Sequence, residues 1–188
     1  MITHKAGDTI DYRVTWLEMP RRPSWGWPAL PVGRDSMLVR ADTPPWWWFL
    51  TLYDAVGRDY AWTDKHAMPR EAMTDWLNDP EVSLFTLMGK GWPQGFFMID
   101  GRAGETCDLA YFGLVPEAVG IGLGSWLLKT AILTAWDRPA TRTLTVNTCT
   151  LDHPRALAQY QRMGFSPVRT EIQTRALTRD QIFLQPLL

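Results

Sequence analysis

The alternation of apolar and polar positions changes period several times along the chain. Residues 12–19 (YRVTWLEM) alternate as a half-buried strand does, and residues 37–40 give a second short strand. Between them, residues 20–35 hold four prolines and no period, which predicts an irregular surface loop ordered by its tryptophans. Thr43 reads as a helix cap, with Pro44 at the first helical position. The helix it opens runs through WWWFLTLYDAV to Gly57. Trp46, Phe49, Leu50 and Tyr53 make one apolar stripe on it, and Trp48, Leu52 and Val56 widen that stripe. Trp47 falls on the polar row of Thr51, Asp54 and Arg58. A second helix is expected at 69–77, stopped by Asn78-Asp79-Pro80.

From residue 82 the period drops to two. VSLFTLM and GFFMID, joined by the glycine-rich GKGWPQ, read as a hairpin, and TCDLAYFGLV is the next strand, ending at Pro116. A helix follows at 122–136, held by the rows Leu127, Ala131, Ala135 and Leu128, Ile132, Trp136. Then come the strand RTLTVNT, a helix at 154–163 that leaves at Gly164, and two closing strands, SPVRTEIQT and QIFLQPL. The order ββ-αα-βββ-α-β-α-ββ predicts an α/β (α+β) single domain, with one mixed, mainly antiparallel sheet flanked by helices.

Composition narrows the function classes. The 188 residues, 46% hydrophobic and 21% charged, suit one ordinary globular domain. A net charge of −1 gives no broad field to draw in nucleic acid or an anionic membrane. No run reaches the ~18 apolar residues of a membrane span, and the N-terminus lacks the apolar stretch of a signal peptide. Cys107 and Cys149 match neither a disulfide framework nor a zinc spacing, so reduced thiols in a cytoplasmic protein are expected. His4, His66 and His153 are not spaced as ligands, and no metal is expected. Eleven tryptophans remain to be explained.

The stretch GLVPEAVGIGLGSWLL carries the chemistry. Gly120, Gly122 and Gly124 stand between a strand and a helix. The third glycine of a dinucleotide fingerprint is replaced by Ser125, and no G-K-[ST] is present. The entry to the helix still offers unpaired amides at the positive end of a dipole, where phosphate binds without basic side chains. On these residues alone, a phosphate cradle and a plain strand–helix junction are both open.

The wider pattern settles the choice. A strand, a proline, a glycine-rich turn, a helix and a strand precede HPRALAQYQRMGF, and this succession resembles the GNAT superfamily of acyl-CoA-dependent N-acetyltransferases over residues 82–171. The resemblance divides the chain into an N-terminal Trp/Pro-rich extension (1–42), acceptor-side helices (43–80), an acyl-CoA-binding core (82–171) and a C-terminal strand (172–188). Val119-Gly120-Ile121-Gly122-Leu123-Gly124, with Ser125 after it, aligns with the family's pyrophosphate loop [Q/R]-x-x-G-x-[G/A]. Val119 and Ile121 depart from it by lacking polar side chains. The resemblance implies a bulge that splays the preceding strand from its neighbour, so that freed backbone pairs with the pantetheine arm. YFGLVPE then places the Leu114 N–H at the thioester carbonyl, with Phe112 and Val115 beside it. Asp108 takes the position of a general base, directly or through a water. A base is needed because an amine of pKa ~10 is protonated at neutral pH. His153 stands where the family usually has the asparagine that bonds the pantetheine, and Tyr160 where a tyrosine protonates the departing thiolate.

The resemblance thus implies transfer of an acetyl group from acetyl-CoA to a primary amine of a small molecule or peptide, by direct attack. A homodimer is compatible with it. Trp47, Tyr60 and Trp62, with Asp54, Asp59 or Asp64 nearby, are candidates for an acceptor pocket for a cationic or aromatic amine; alternatively these rings pack beneath the loop of residues 20–32. The rival reading is a non-catalytic acyl-CoA sensor that keeps the loop and lacks acceptor chemistry.

Overall fold

The computed structural model describes residues 3–30, 35–183 and 185–188. In chain order its elements are β1 (Thr3–His4), β2 (Thr9–Met19), β3 (Ser36–Arg40), α1 (Trp46–Gly57), α2 (Arg70–Leu77), β4 (Val82–Gly89), β5 (Trp92–Ala103), β6 (Thr106–Leu114), α3 (Leu123–Trp136), β7 (Thr143–Cys149), α4 (Ala156–Met163), β8 (Ser166–Ala176) and β9 (Gln181–Ile182). Seven strands form one sheet in the order β3-β4-β5-β6-β7-β2-β8. Every neighbouring pair is antiparallel except β6 and β7, whose parallel pairing requires the crossover that α3 supplies. The mixed, mainly antiparallel architecture is the one expected.

Consecutive side chains of a strand point to opposite faces, and β6 shows which helices lie where. Gly113 lies against Val56 of α1, whereas Leu114 lies beside Gly124 of α3 and Gln159 of α4 is also near that glycine. Helix α1 buries Phe49, Leu52, Tyr53 and Val56 of the apolar positions read from its period, packs Trp46, Trp48 and Leu50 partly buried against the core, and leaves Trp47 exposed. Helix α3 is buried at Leu127, Leu128, Ala131, Ile132 and Ala135. Six aromatic rings, of Phe49, Tyr53, Trp62, Trp76, Phe96 and Tyr111, meet mostly edge to face between α1 and the sheet and give much of the aromatic content a packing role.

Four expectations are corrected. Helix α1 starts at Trp46, and Thr43 sits at φ 45° without capping it. Two prolines in succession explain this, because the residue before a proline is steered out of the helical region. The hairpin turn is tighter than GKGWPQ implies, with Gly89 directly opposite Trp92. The segment read as an N-terminal extension contributes β2, an interior strand buried at Val14, Thr15, Leu17 and Met19. The 172–188 strand is not continuous: β8 ends at Ala176 and only Gln181–Ile182 pairs again, with β1. Phe183 and Leu187 pack instead on a small second core of Ile10, Ala61, Leu151 and Leu177.

The Pro/Trp loop is laid over α3, as far as its described residues go. Trp126 donates from Nε1 to the Pro28 carbonyl at 3.2 Å, Lys129 lies over the Trp25 ring, and Arg22 pairs with Asp137. Residues 31–34 of that loop lie outside the described residues.

Candidate active site

Strands β6 and β7 pair only from Thr106↔Thr143 to Asp108↔Thr145, although β6 continues to Leu114 and β7 to Cys149. The separation starts at a bulge: Met98 faces Tyr111 and Ile99 faces Leu109, leaving Ala110 unmatched. A bulge bends its strand and locally ends pairing. The Val115 N–H donates to the Gln94 carbonyl at 3.0 Å. Because an antiparallel ladder bonds every second residue, the amides of Phe112 and Leu114 point away from β5, into the opening.

A cleft of about 550 Å³ fills that opening. Val119, Gly120 and Gly124 stand at one end, at the mouth of α3. Gly120 and Gly122 have φ of +83° and +87°, a conformation that only glycine adopts cheaply. A Cβ on either would meet open space, so the backbone conformation and not crowding calls for glycine. Among the described residues no side chain caps α3, and the first N–H groups of a helix lack intrahelical partners, as an anion site requires.

Tyr160 forms the wall opposite Phe112, their ring centroids 6.4 Å apart, with Phe165 on its other side. It is buried, and no hydrogen bond among the described residues uses its hydroxyl. Burial, helped by the charges of Asp152 and Asp108, pushes the phenol far above its ordinary value, so it stays protonated at any physiological pH. His153 also lines the cleft. Its Nδ1 accepts the Arg155 N–H at 3.1 Å, which leaves Nε2–H for the cleft. Burial and the nearby Arg155 charge lower its pKa, favouring the neutral ring.

Asp108 is not in this cleft. It lines an adjoining groove of about 600 Å³ on the α1 and α2 side, and Ala110, Tyr111 and Asn147 line both spaces. The Thr145 hydroxyl donates to Asp108 Oδ1 at 2.7 Å. Burial raises the carboxyl above its ordinary value, although the Thr145 bond opposes the shift. Base candidate and acid candidate therefore stand on either side of the parted strands.

The sequence profile of the acetyltransferase (GNAT) family matches residues 49–165. The chain belongs to that family. Acyl transfer from an acyl-CoA is the chemistry of GNAT proteins. Solved structures agree on the fold. A Drosophila protein has a TM-score of 0.65 at 13% identity over 93% of this chain and 54% of its own. A GCN5-related N-acetyltransferase from Kribbella flavida has 0.57 at 17%, over 90% and 60%. An aminoglycoside acetyltransferase from an uncultured soil metagenomic sample, in complex with sisomicin, has 0.52 at 12%, over 69% and 87%. The chain thus spans little more than half the length of the first two. No sequence among curated proteins matches it.

Around this cleft the remaining expected residues divide. Phe112, Leu114, Val119, Gly120, Gly124, His153 and Tyr160 line the cleft together. Val115 does not; it is buried in the core with its N–H committed to Gln94. Leu123 is likewise a core residue, while Ile121 and Gly122 of the loop and Ser125 in the first turn of α3 are exposed. Of the tryptophan candidates, Tyr60 and Trp62 line the cleft, together with Asp64. Trp47 does not: it is 52% exposed, edge-on to Trp48. Asp54 pairs with His66. Trp62 lies so close to Gly57 that a Cβ there would overlap its ring, and its Nε1 donates to Asp152 at 3.1 Å.

Sequence reasoning missed Tyr12, Val14 and Trp16 of β2, Asn147 and Cys149 of β7, and Gln173 and Arg175 of β8, all of which line the cleft. Trp16 faces Asn147 and Val14 faces Cys149 in register, so these four share one face of the sheet. No local signal marks them, because strand order alone brings β2 and β8 alongside β7. The Cys149 thiol is pushed up to about 12 by burial and the charge of Asp152.

Proposed function

We propose that the protein transfers an acetyl group from acetyl-CoA directly to a primary amine. The carrying observation is that β6 leaves β7 after Asp108, turning the Phe112 and Leu114 amides into a cleft with a glycine-lined helix mouth at one end. Unpaired amides of that kind hold an extended pantetheine by strand addition and a pyrophosphate by the helix terminus. The Leu114 N–H polarises the thioester carbonyl. The amine nitrogen, relieved of one proton by Asp108 through a water, attacks the carbonyl carbon; the C–S bond breaks, Tyr160 protonates the thiolate and the second proton shed by the nitrogen restores the phenol, giving amide and free CoA thiol. A covalent cysteine route is disfavoured, because a thiol held near 12 supplies almost no thiolate at neutral pH. Calorimetry with acetyl-CoA and a thiol-release assay over a panel of amines test the reading. Failure to bind acetyl-CoA overturns it, and binding without thiol release across the panel favours the sensor.

The acceptor, in this reading, is a single amine on an aromatic or apolar body. The side of the cleft away from the glycine loop is walled by Tyr12, Trp16, Tyr60 and Trp62. Two of those rings already carry guanidinium groups, Arg169 at 3.8 Å from the Trp16 centroid and Arg175 at 6.0 Å from that of Tyr12. Those guanidinium groups occupy the faces of two rings. Asp64 and Asp152 line the same cleft and offer a place for one cationic amine, so a single amine on a neutral ring fits. Trp16→Ala is expected to raise KM for an arylalkylamine by about tenfold or more, the cost of one ring's burial. Its acetyl-CoA affinity stays unchanged by calorimetry. Preference for a polyamine over the arylalkylamine in wild type would reverse this assignment.

Asp108 sets the pH dependence. As a base it works as carboxylate, and burial raises its pKa. The acidic limb of kcat/KM therefore falls above the ordinary carboxylate range. Asp108→Asn removes that limb and lowers kcat. The same shift has a sign for stability: a raised folded pKa favours the protonated form, so its contribution is full at low pH and is lost as pH rises through the folded pKa. Asp108→Asn should hence gain Tm relative to wild type at neutral pH but not at acidic pH. A pH–rate profile and melting curves at both pH values check the two halves.

A further inference from the structure

Strand β7 runs through the interior of the sheet, where asparagine is a disfavoured residue. Asn147 nevertheless stands there, exposed between the buried Val146 and Thr148. No hydrogen bond among the described residues uses its carboxamide. Its place is particular. The last pair joining β6 to β7 is Asp108↔Thr145, and the Thr145 hydroxyl holds the Asp108 carboxylate. Alternate residues of a strand share a face, so Asn147 is the first residue beyond the split on the face of Asp108. It lines both the cleft and the groove that contains Asp108. Ala110 and Tyr111 also line both, but alanine has no polar side-chain group, and the Tyr111 ring is fixed among Phe49, Trp62 and Trp76. Across the sheet, Asn147 faces Trp16 of the aromatic wall, at the Cβ separation of about 5 Å usual for such pairs.

We propose that Asn147 is the positioning residue that holds the acceptor amine and a relay water between Asp108 and the thioester. The inference rests on the reading of Asp108 as the base. Two residues along a strand lie about 6–7 Å apart. A water hydrogen-bonded at about 2.8 Å on either side spans that gap between the carboxylate and the carboxamide. A carboxamide supplies both kinds of group needed. Its Nδ2–H donates to the water oxygen, and its Oδ1 accepts an N–H of the arriving ammonium. The water passes one of its protons to the Asp108 carboxylate and takes one from the nitrogen, leaving free amine, water and a protonated carboxyl. An acceptor ring lying against Trp16 carries its amine to Asn147 on the neighbouring strand. The charged groups that face Asp108 from the surrounding elements are Asp100 of β5, paired with Arg102, then Lys65, Asp75 of α2, Asp79 just after it, and Glu18 of β2, opposite Thr145. None of these lines the cleft, so none takes the place of Asn147.

Thiol release from acetyl-CoA tests it, with phenethylamine or the panel amine turned over fastest as acceptor. Asn147→Ala is expected to lower kcat by about tenfold or more, the cost of misplacing reacting groups. Acetyl-CoA affinity and melting temperature should stay as in wild type, because the side chain is exposed and no hydrogen bond among the described residues uses it. Asn147→Leu keeps the bulk without the hydrogen-bonding groups and should lose as much. The decisive variant carries Asp108→Asn and Asn147→Ala together. A relay with no base at its end has nothing to deliver, so the second change should cost less than about twofold beyond the first. Losses that multiply overturn the proposal and leave Asp108 as the base. So does a change confined to KM, or a wild-type rate in Asn147→Ala. A wild-type rate in Asp108→Asn, or no thiol release by wild type with any amine, removes the reading beneath the proposal and the proposal with it.

Discussion

Tyr160→Phe is expected to lower kcat for thiol release by about a hundredfold or more, the usual worth of a positioned proton donor. Acetyl-CoA should bind as before. The ring packs edge-on to Phe112 and Phe165, and phenylalanine keeps both contacts. Since no hydrogen bond among the described residues uses the hydroxyl, its removal leaves no protein partner unsatisfied, and the melting temperature should hold or rise slightly. The combination is diagnostic. A structural tyrosine would lose stability and keep its rate, whereas a proton donor loses rate and keeps stability. Wild-type thiol release in this variant would strip Tyr160 of its role. A phenol pushed up by burial remains a competent donor here, because the thiolate it meets is released with no proton and Tyr160 lines the cleft still protonated.

Gly122→Val should weaken acetyl-CoA binding by about tenfold or more. The residue has φ +87°, and a side chain of L-configuration in that region costs about 1–2 kcal/mol, with β-branched residues worst. No atom lies near the Cβ position, so the free protein is strained without being crowded. The strain is relieved by rotating the backbone, which turns the first amides of α3 away from the ligand. Gly124→Ala is the informative partner. Its Cβ would stand 3.6 Å from Leu114 and 3.8 Å from Gln159, ordinary contacts, and it lies within the helix. It should fold at least as well as wild type, so any loss of acetyl-CoA affinity there reports close backbone approach by the ligand. Calorimetry on both variants separates backbone geometry from space, and equal affinity in wild type and Gly122→Val would remove the loop from the site.

Much of the architecture was legible because short-range periodicity is enforced by burial. The stripe of Phe49, Leu52, Tyr53 and Val56, the rows along α3 and the exposure of Trp47 all follow from which positions repeat every three or four residues. The glycine loop was legible for a related reason, since positive φ at Gly120 and Gly122 tolerates few other residues. Errors fell where local signals compete. Thr43 looks like a cap, yet the Pro44-Pro45 pair keeps the chain extended for another turn.

The sequence by itself determined the run of helices and strands and the glycine-lined mouth of α3, because each depends on residues close together in the chain, while the family resemblance supplied the candidates Asp108 and Tyr160. Tertiary structure alone decided three things. It set the parting of β6 from β7 at the Ala110 bulge, put Asp108 and Tyr160 on opposite sides of that opening, and recruited β2 as an aromatic wall for the cleft. Those depend on which strand lies beside which and in what register, and a change of one residue in register turns every side chain of a strand to the other face.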